Sequence, residues 1–555
     1  MAVSYFSGIA LVLAVWIVYS WVKNELGWMR ARRFGREYGC EEPKSVENEW
    51  PGGVERYVRM LRAEKDMDIL DDRILARYQQ MGVGTYRMHN PFYNSIVFTS
   101  DPSNIQAVLA TQFHDYELGP SRSQNMSELL GHGIFTADGE AWAHYRQQLK
   151  PQFARDQISD LDAADQHLRI LYRALPQTSS EPADLLPLLL RFTMDVSTEF
   201  LFGKSVNSQT TALRSIDSGA TKELLAEEEF VQALSYAQEY IIFRLRFSKL
   251  WWLARSRKFL DACQTCKDYS ANFVQSALSS SSKPPPTAVP AEEEEEKEEG
   301  EGESSGEKNA KYVLLNALTE QTRNPTELRD QMLHLLLAGR DTTAALLAWT
   351  LLLLSHDPAR YAKYRGVVLS HFGPSTSTPF APYSSASASA SSPHPPMTFA
   401  SLKSCKTLTY LLYETLRLYP IVPLNSRVAV RDTILPFGGG KDGTSPVVVR
   451  RGETVSYSTY VMHRRADIWG DDALEWRPER WEGRKLGWEF GGFSGGARVC
   501  IGQQYALNEA SFVIARFLQK YERIEAVDMD EKPKKKLSLT LSPSDVRVRL
   551  YPAAE

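Results

Sequence analysis

The sequence predicts a mainly helical protein with small β-sheets, preceded by one membrane-spanning helix. Three observations point there. Helical periodicity fills residues 155–278 and recurs from Asn324 to Ser355. Apolar–polar alternation is confined to short stretches near 85–99, 421–461 and 536–550. Met1–Val22 contains no Asp, Glu, Lys or Arg.

Taken in order, the chain opens on Val3–Val22, long enough to cross a hydrocarbon core as a helix. Trp16, Tyr19 and Trp21 stand toward its end, where amphipathic rings favour the interface. Lys23, Arg30, Arg32, Arg33 and Arg36 follow, which places the rest of the chain in the cytosol. A cleaved signal would carry its positive charge before the apolar run. We therefore expect an uncleaved anchor over 3–22. A basic linker and hinge should cover 23–53 and end at Trp50-Pro51-Gly52-Gly53. At 555 residues the chain exceeds a typical single core, so length alone suggests two or more domains; that 54–555 forms one large domain is what the resemblance given below implies.

Composition bounds the function. The 555 residues carry a net charge of −4. Residues 292–303 hold nine Glu and one Lys, a charge of −8, so the remaining chain carries +4. That balance suits an anionic membrane surface or an acidic partner protein. No basic cluster is interleaved with aromatics, so no nucleic-acid role is expected. The five cysteines are few and odd in number, so no disulfide framework is implied. Cys263 and Cys266 lie in a polar helical pattern and read as structural.

Within the expected domain, Leu70–Gln80 is an amphipathic stretch. Thr85–Met88 and Ser95–Thr99 read as strands around Asn90-Pro91, and Asp101-Pro102 opens a short helix. Phe113–Gly139 holds glycine, serine and scattered apolar residues without clean periodicity, and the resemblance given below implies a loop there. Residues 279–309 and 374–397 cannot build a core. The first runs from Ser and Pro into the glutamate tract, and the second is rich in Ser, Ala and Pro. Both read as disordered insertions. Between them, Asn324-Pro325-Thr326-Glu327 supplies an N-cap, a first-turn proline and an acid. The helix it opens should run to Ser355, with Asp357-Pro358 as its stop.

The chemistry concentrates in Phe493–Gly502, Phe-Ser-Gly-Gly-Ala-Arg-Val-Cys-Ile-Gly. Cys500 sits in a glycine-rich bend before an apolar helical segment, Ala506–Lys520. Glycines let backbone N–H groups approach a thiolate, and the helix N-terminus favours the anion. Phe493 offers a flat apolar cover, and Arg498 a fork that suits a carboxylate. Together they make a bed for a haem held by cysteine. Trp142 and Arg146 are four apart on one helical face. In Ala338-Gly339-Arg340-Asp341-Thr342-Thr343, Gly339 removes a side chain so that a flat ring can approach. The Thr342 hydroxyl can compete for a helix carbonyl and open the ladder, while Asp341 can draw protons from solvent. Glu414 and Arg417 stand one turn apart, and Arg480 follows in Pro478-Glu479-Arg480-Trp481.

The Phe-x-x-Gly-x-Arg-x-Cys-x-Gly stretch resembles the haem-binding signature of the cytochrome P-450 superfamily at every fixed position. Trp-x-x-x-Arg, Ala-Gly-x-Asp-Thr and Glu-x-x-Arg are similar to that family's other motifs. The resemblance implies a cytochrome P-450-type domain with haem b ligated by Cys500. It assigns Thr342 and Asp341 to proton delivery and Trp142, Arg146, Arg427 and Arg498 to the haem propionates. Phe493 and Gly502 join the cofactor set, and Glu414, Arg417 and Arg480 form a structural network. Electrons would come from NADPH through a separate membrane-bound reductase, since no flavin or nicotinamide fingerprint occurs. The endoplasmic reticulum membrane follows for a eukaryotic member. In the family, the Phe113–Gly139 region folds over substrate, with Leu129, Ile134 and Phe135 nearest the pocket. A terminal hairpin reaches the pocket near Leu541–Pro543.

Gln321–Thr343, Glu414–Tyr460 and Gly502–Ala510 further resemble fungal members that hydroxylate n-alkanes and fatty acids. Tyr413, where Asn is usual, and Gly492, where Pro is common, depart from that pattern. The resemblance implies dioxygen-dependent hydroxylation of a long apolar substrate taken from the bilayer. The alternatives are oxidation of a sterol, secondary metabolite or xenobiotic, isomerisation or dehydration without dioxygen, and a non-enzymatic haem sensor.

Overall fold

The computed structural model describes residues 2–46, 68–90, 93–154, 158, 161–176, 178–214, 222–245, 251–252, 254–280, 312–374, 396–530 and 532–553. The hinge at Trp50–Gly53 lies outside them, as do nearly all of the two expected insertions. Among the described residues twelve strands occur in chain order: β1 Thr85–Asn90, β2 Tyr93–Thr99, β3 Tyr116–Glu117, β4 Ala183–Asp184, β5 Leu424–Ala429, β6 Thr433–Gly439, β7 Ser445–Val449, β8 Thr454–Ser458, β9 Tyr521–Ala526, β10 Lys535–Leu537, β11 Leu541–Pro543 and β12 Arg547–Pro552. Helices hold most of the rest, so the chain is mainly helical with small sheets. The residues divide into two compact units, each drawn from separate parts of the chain. One comprises Met1–Gly119 with Leu416–Cys500, the other Pro120–Thr415 with Ile501–Glu555.

The first unit holds a five-stranded sheet in the order β1-β2-β8-β5-β3. β2 and β8 run parallel, Ile96 opposite Thr454 through Thr99 opposite Tyr457. The expected sheet over 421–461 divides: β5 and β8 join this sheet, while β6 and β7 pair as a separate ribbon. Val97, Val108, Leu435, Val447, Val455 and Met462 fill its core. Asp101 caps the helix Pro102–Gln106 by accepting from the Ser103 and Asn104 N–H groups. Arg87 is buried on β1. Its Nε donates to Glu453 Oε1 at 3.0 Å and its Nη2 to the Val448 carbonyl at 2.6 Å. The basic stretch 23–36 forms the second half of one helix, Ala2–Glu37. It docks through Trp28, whose ring lies 5.0 Å from the Arg87 guanidinium and 4.7 Å from that of Arg450. Leu11, Val15, Val18 and Tyr19, nearer the start, are exposed.

The second unit is built around the helix Pro325–Ser355. Its N-cap is Asn324, whose side chain accepts from the Thr326 and Glu327 N–H groups, with Pro325 in the first turn. Among the described residues searched, this is the helix long and apolar enough to cross a membrane, but 78% of its apolar window is buried inside the protein. A helix apolar all round belongs in a core. The helices Leu185–Phe202, Lys222–Leu245 and Arg257–Ser280 surround it, with Met332, Leu333, Leu336, Phe230, Leu234 and Ile241 in the shared core. Phe113–Gly139 is not a loop throughout, because Pro120–Leu130 is helical. The hairpin tip is Ser538–Thr540, and Leu541–Pro543 is strand β11. The Leu541 carbonyl on that strand accepts from Trp349 Nε1 at 3.1 Å.

Candidate active site

The expected site residues divide between the units. In the first, the loop before Cys500 is fixed by backbone packing. The Cys500 N–H donates to the Phe493 carbonyl at 3.0 Å. A side chain at Gly496, where φ is +63°, would put Cβ 1.9 Å from the Leu109 carbonyl oxygen. At Gly495 a Cβ would strike the Trp488 ring at 2.5 Å. Phe493 and Arg498 are half-buried on the same loop. Arg427, on β5, is buried. Its Nη1 donates to Asn425 Oδ1 at 3.1 Å and the Ser426 carbonyl at 2.7 Å.

Arg417 and Arg480 meet on one stretch of chain. Arg417 Nη1 donates to the His463 and Ala473 carbonyls at 2.7 and 2.6 Å, and its Nη2 to the Glu475 carbonyl at 2.8 Å. Arg480 Nη1 reaches Asp472 Oδ1 at 3.1 Å, and its Nη2 the Asp472 carbonyl at 2.9 Å and the Glu475 carbonyl at 3.4 Å. Arg417 thus donates to backbone carbonyls, while Arg480 divides its donors between backbone carbonyls and the Asp472 carboxylate. Glu414 lies on the helix Lys406–Leu418 with Arg417 and is fully buried.

His463 is a residue that motif reading missed. Its Nδ1–H donates to the Arg417 carbonyl at 2.9 Å, and its Nε2 accepts from the Gly491 N–H at 2.9 Å. Its ring stacks on Phe490 at 5.5 Å. It thus pins the start of the cysteine loop to the arginine helix. Burial, with Arg417 beside it, pushes its pKa down to about 3, so the ring stays neutral. The one sequence signal was a histidine closing an apolar run, Tyr460-Val461-Met462-His463; the histidine is the C-cap of the short helix Thr459–Met462.

In the second unit, Trp142 is buried on the helix Gly139–Leu149, and the Arg146 guanidinium lies 5.9 Å from its ring. Gln148 Nε2 ties this helix to the long one through Glu327 Oε1 at 3.0 Å. The Thr342 hydroxyl donates to the Ala338 carbonyl at 2.5 Å, yet the helix runs on without a break. The hydroxyl takes a helix carbonyl as expected. Asp341 faces Arg340 Nη1 at 3.4 Å. Burial raises its pKa, against the lowering effects of Arg340 and the Gln238 side chain. Gly339 has a packing reason: its Cβ would lie 2.9 Å from Ser197 Oγ on the crossing helix. Leu129 is fully buried in the helical core, and Phe135 stacks on His334 of the long helix at 5.5 Å. The helix after the cysteine opens at Gln503, three residues earlier than its periodicity predicts.

Two features test whether a thiolate-held haem fits. Among the five cysteines, Cys500 is the exposed one. Cys263, Cys266 and Cys405 are buried, and burial pushes their thiols up, that of Cys263 to about 12. At Gly502 a Cβ would meet Phe153 only at 3.6 Å, an ordinary contact. Nothing in the described protein demands a glycine there, which leaves room for a bound group. The donor set and the loop fit the cofactor.

The family model described as Cytochrome P450 matches residues 73–549. The chain is 43% identical over 532 residues to cytochrome P450 monooxygenase g430 of a Fusarium species, covering 95% of this chain and 87% of that protein. It is 38% identical over 526 residues to cytochrome P450 52A5 of Candida maltosa, covering 93% and 92%. It is 36% identical over 509 residues to cytochrome P450 monooxygenase alt2 of Alternaria solani, covering 89% and 88%.

Proposed function

This chain belongs to the cytochrome P450 family, and from that premise we propose that it is a membrane-anchored hydroxylase of a long apolar substrate, an n-alkane or a fatty acid, at or near its terminal carbon. The family implies a haem–thiolate iron and electrons from a redox partner. When bound, that haem supplies dioxygen activation, placing one oxygen atom in a C–H bond while the other leaves as water. The observation that carries the reading is the exposed Cys500 at the end of a loop whose backbone is pinned to Phe493 and cannot accept larger residues at Gly495 or Gly496.

Each residue then has a task. Cys500 Sγ is the iron ligand, and Phe493 and Gly502 leave the flat space beside it. Trp142, Arg146, Arg427 and Arg498 hold the propionates, the guanidiniums by charge and the indole by its N–H. Asp341 holds a proton on its carboxyl more readily than an exposed aspartate, because burial disfavours its charge. Thr342 Oγ1 gives its own proton to the Ala338 carbonyl and keeps its lone pairs to accept one from Asp341 or water. Glu414, Arg417 and Arg480 act structurally.

The substrate class is supported by the resemblance of Gln321–Thr343 and Glu414–Tyr460 to fungal alkane and fatty-acid hydroxylases. The exposed apolar residues of the helix Ala2–Glu37 support an endoplasmic reticulum anchor, with the domain cytosolic and an NADPH–cytochrome reductase as donor. Turnover of fatty-acid and n-alkane series in microsomes with reductase, reading the oxidised carbon, tests the function. Terminal or near-terminal alcohols are expected, and no product from either class overturns the substrate reading. In Cys500→Ala the ferrous carbon monoxide complex should lose its red-shifted thiolate band; its survival would overturn the haem assignment.

A further inference from the structure

The helix Lys222–Leu245 ends on a guanidinium that its surroundings do not satisfy. Arg244 is fully buried. The Trp251 ring lies 5.0 Å from its guanidinium carbon and the Phe259 ring 4.8 Å away, so two aromatic rings hold it in place. Its Nη2 reaches the Gln124 carbonyl only at 3.5 Å. Its Nε and Nη1 have no hydrogen-bond partner among the described residues. The candidates nearby are already engaged. Glu128, the acid whose charge it feels most, has Oε1 3.2 Å from Arg255 Nη2. The Gln124 side chain accepts from Trp251 Nε1 at 3.1 Å.

A buried cation with idle donors is costly, because its water is gone and nothing has replaced it. Arginine does not escape by losing its proton. The partner that relieves the cost is an anion, and the planar fork matches a carboxylate. The rest of the setting is apolar: buried Ile241 and Phe259, and exposed Phe243, Leu245 and Trp252. A ligand that belongs here carries one carboxylate on a hydrocarbon body.

The same helix runs past the proton-delivery pair. Arg340 Nη2 donates to Ser235 Oγ at 3.0 Å, and the Gln238 side chain stands beside Asp341. Gln238 and Arg244 are six residues apart, a rise of about 9 Å along the axis. Leu234, Ala237 and Ile241 present buried apolar side chains along that length.

We propose that Arg244 is the carboxylate anchor of the substrate site, binding the acid end of a long-chain fatty acid while the alkyl chain extends toward Asp341 and Thr342. The proposal rests on the long-chain reading above and narrows it to the acid over the alkane.

Binding is read as the substrate-induced spectral shift of the full-length holoenzyme with hexadecanoic acid, its methyl ester and n-hexadecane. The parent protein should bind the acid at least about tenfold more tightly than the ester, as expected for a charge-assisted hydrogen bond. Arg244→Met should lower the preference for acid over alkane by about tenfold or more. Arg244→Lys should restore part of it, and Glu128→Gln should leave it unchanged. The thiolate carbon monoxide band reports whether each variant is folded. Equal weakening of acid and alkane in Arg244→Met, or no change in either, would overturn the anchor in favour of a structural role. If that variant does not fold, equal affinity of the parent for acid and ester overturns it alone. A parent that binds the alkane but not the acid removes the anchor and leaves the long-chain reading. A parent that binds neither removes both.

Discussion

His463 links two segments far apart in sequence with one neutral ring. Its partners stand 46 and 28 positions away, at Arg417 and Gly491. Replacing it with alanine leaves a buried carbonyl and a buried N–H unpaired, at about 1–3 kcal/mol each. His463→Ala should lower the denaturant midpoint and the haem content, while Cys500 itself is untouched. Its titration has a definite sign. The folded pKa is depressed to about 3 against an ordinary value of 6.5. Between those values the unfolded chain binds more protons, so stability is present above pH 6.5 and is lost as pH falls toward 3. His334, also pushed to about 3 by burial, behaves alike. Each imidazole adds a slope of up to about 1.4 kcal/mol per pH unit, and denaturant midpoints across that window measure it. Gly502 gives the opposite test. Gly502→Ala meets only Phe153 at an ordinary distance, so apoprotein stability should hold within about 0.5 kcal/mol while haem incorporation falls. Loss of apoprotein stability would mean that the glycine serves packing alone.

At the scale of elements, the long helix Pro325–Ser355 serves three purposes. It fills the core of its unit and carries Asp341 and Thr342. It also holds the 131–136 loop, where the His132 N–H donates to Asp330 Oδ2 at 2.9 Å and the Phe135 N–H to His334 Nδ1 at 3.3 Å. Its cap and its stop were legible because Asn-Pro-Thr-Glu and Asp-Pro are local signals. The role of Gly339 was not, since the reason for that glycine is Ser197 on a helix more than a hundred residues earlier. Because Thr342 bonds its own helix without breaking it, Thr342→Ala should leave the thermal midpoint nearly unchanged. Product formation per dioxygen consumed should fall by about tenfold or more, as for loss of a group that positions the delivered proton. A coupling ratio equal to the parent's would remove Thr342 from proton delivery. Gly339→Ala should instead destabilise the crossing of two helices.

For the whole molecule, each unit is drawn from two separate stretches of the chain, so neither matches a contiguous stretch. The anchor expected over 3–22 and the docked segment belong to a single helix, Ala2–Glu37. Trp28, against Arg87 and Arg450, marks where its packed part lies. Deleting residues 2–22 should therefore release the protein from membranes while the thiolate band survives. Deletion through Trp28 should also lower stability, because Arg87 and Arg450 lose the ring they share. Fractionation with carbon monoxide difference spectra checks both truncations.

The sequence alone determined the family and the helix caps at Asp101 and Asn324, because a motif or a cap is read from residues a few positions apart. Only the tertiary structure decided which buried groups are satisfied: His463 between two distant backbones, Gly339 against Ser197, and Arg244 with two idle N–H groups. Burial and hydrogen-bond satisfaction depend on neighbours brought together by folding, and no local spacing encodes them.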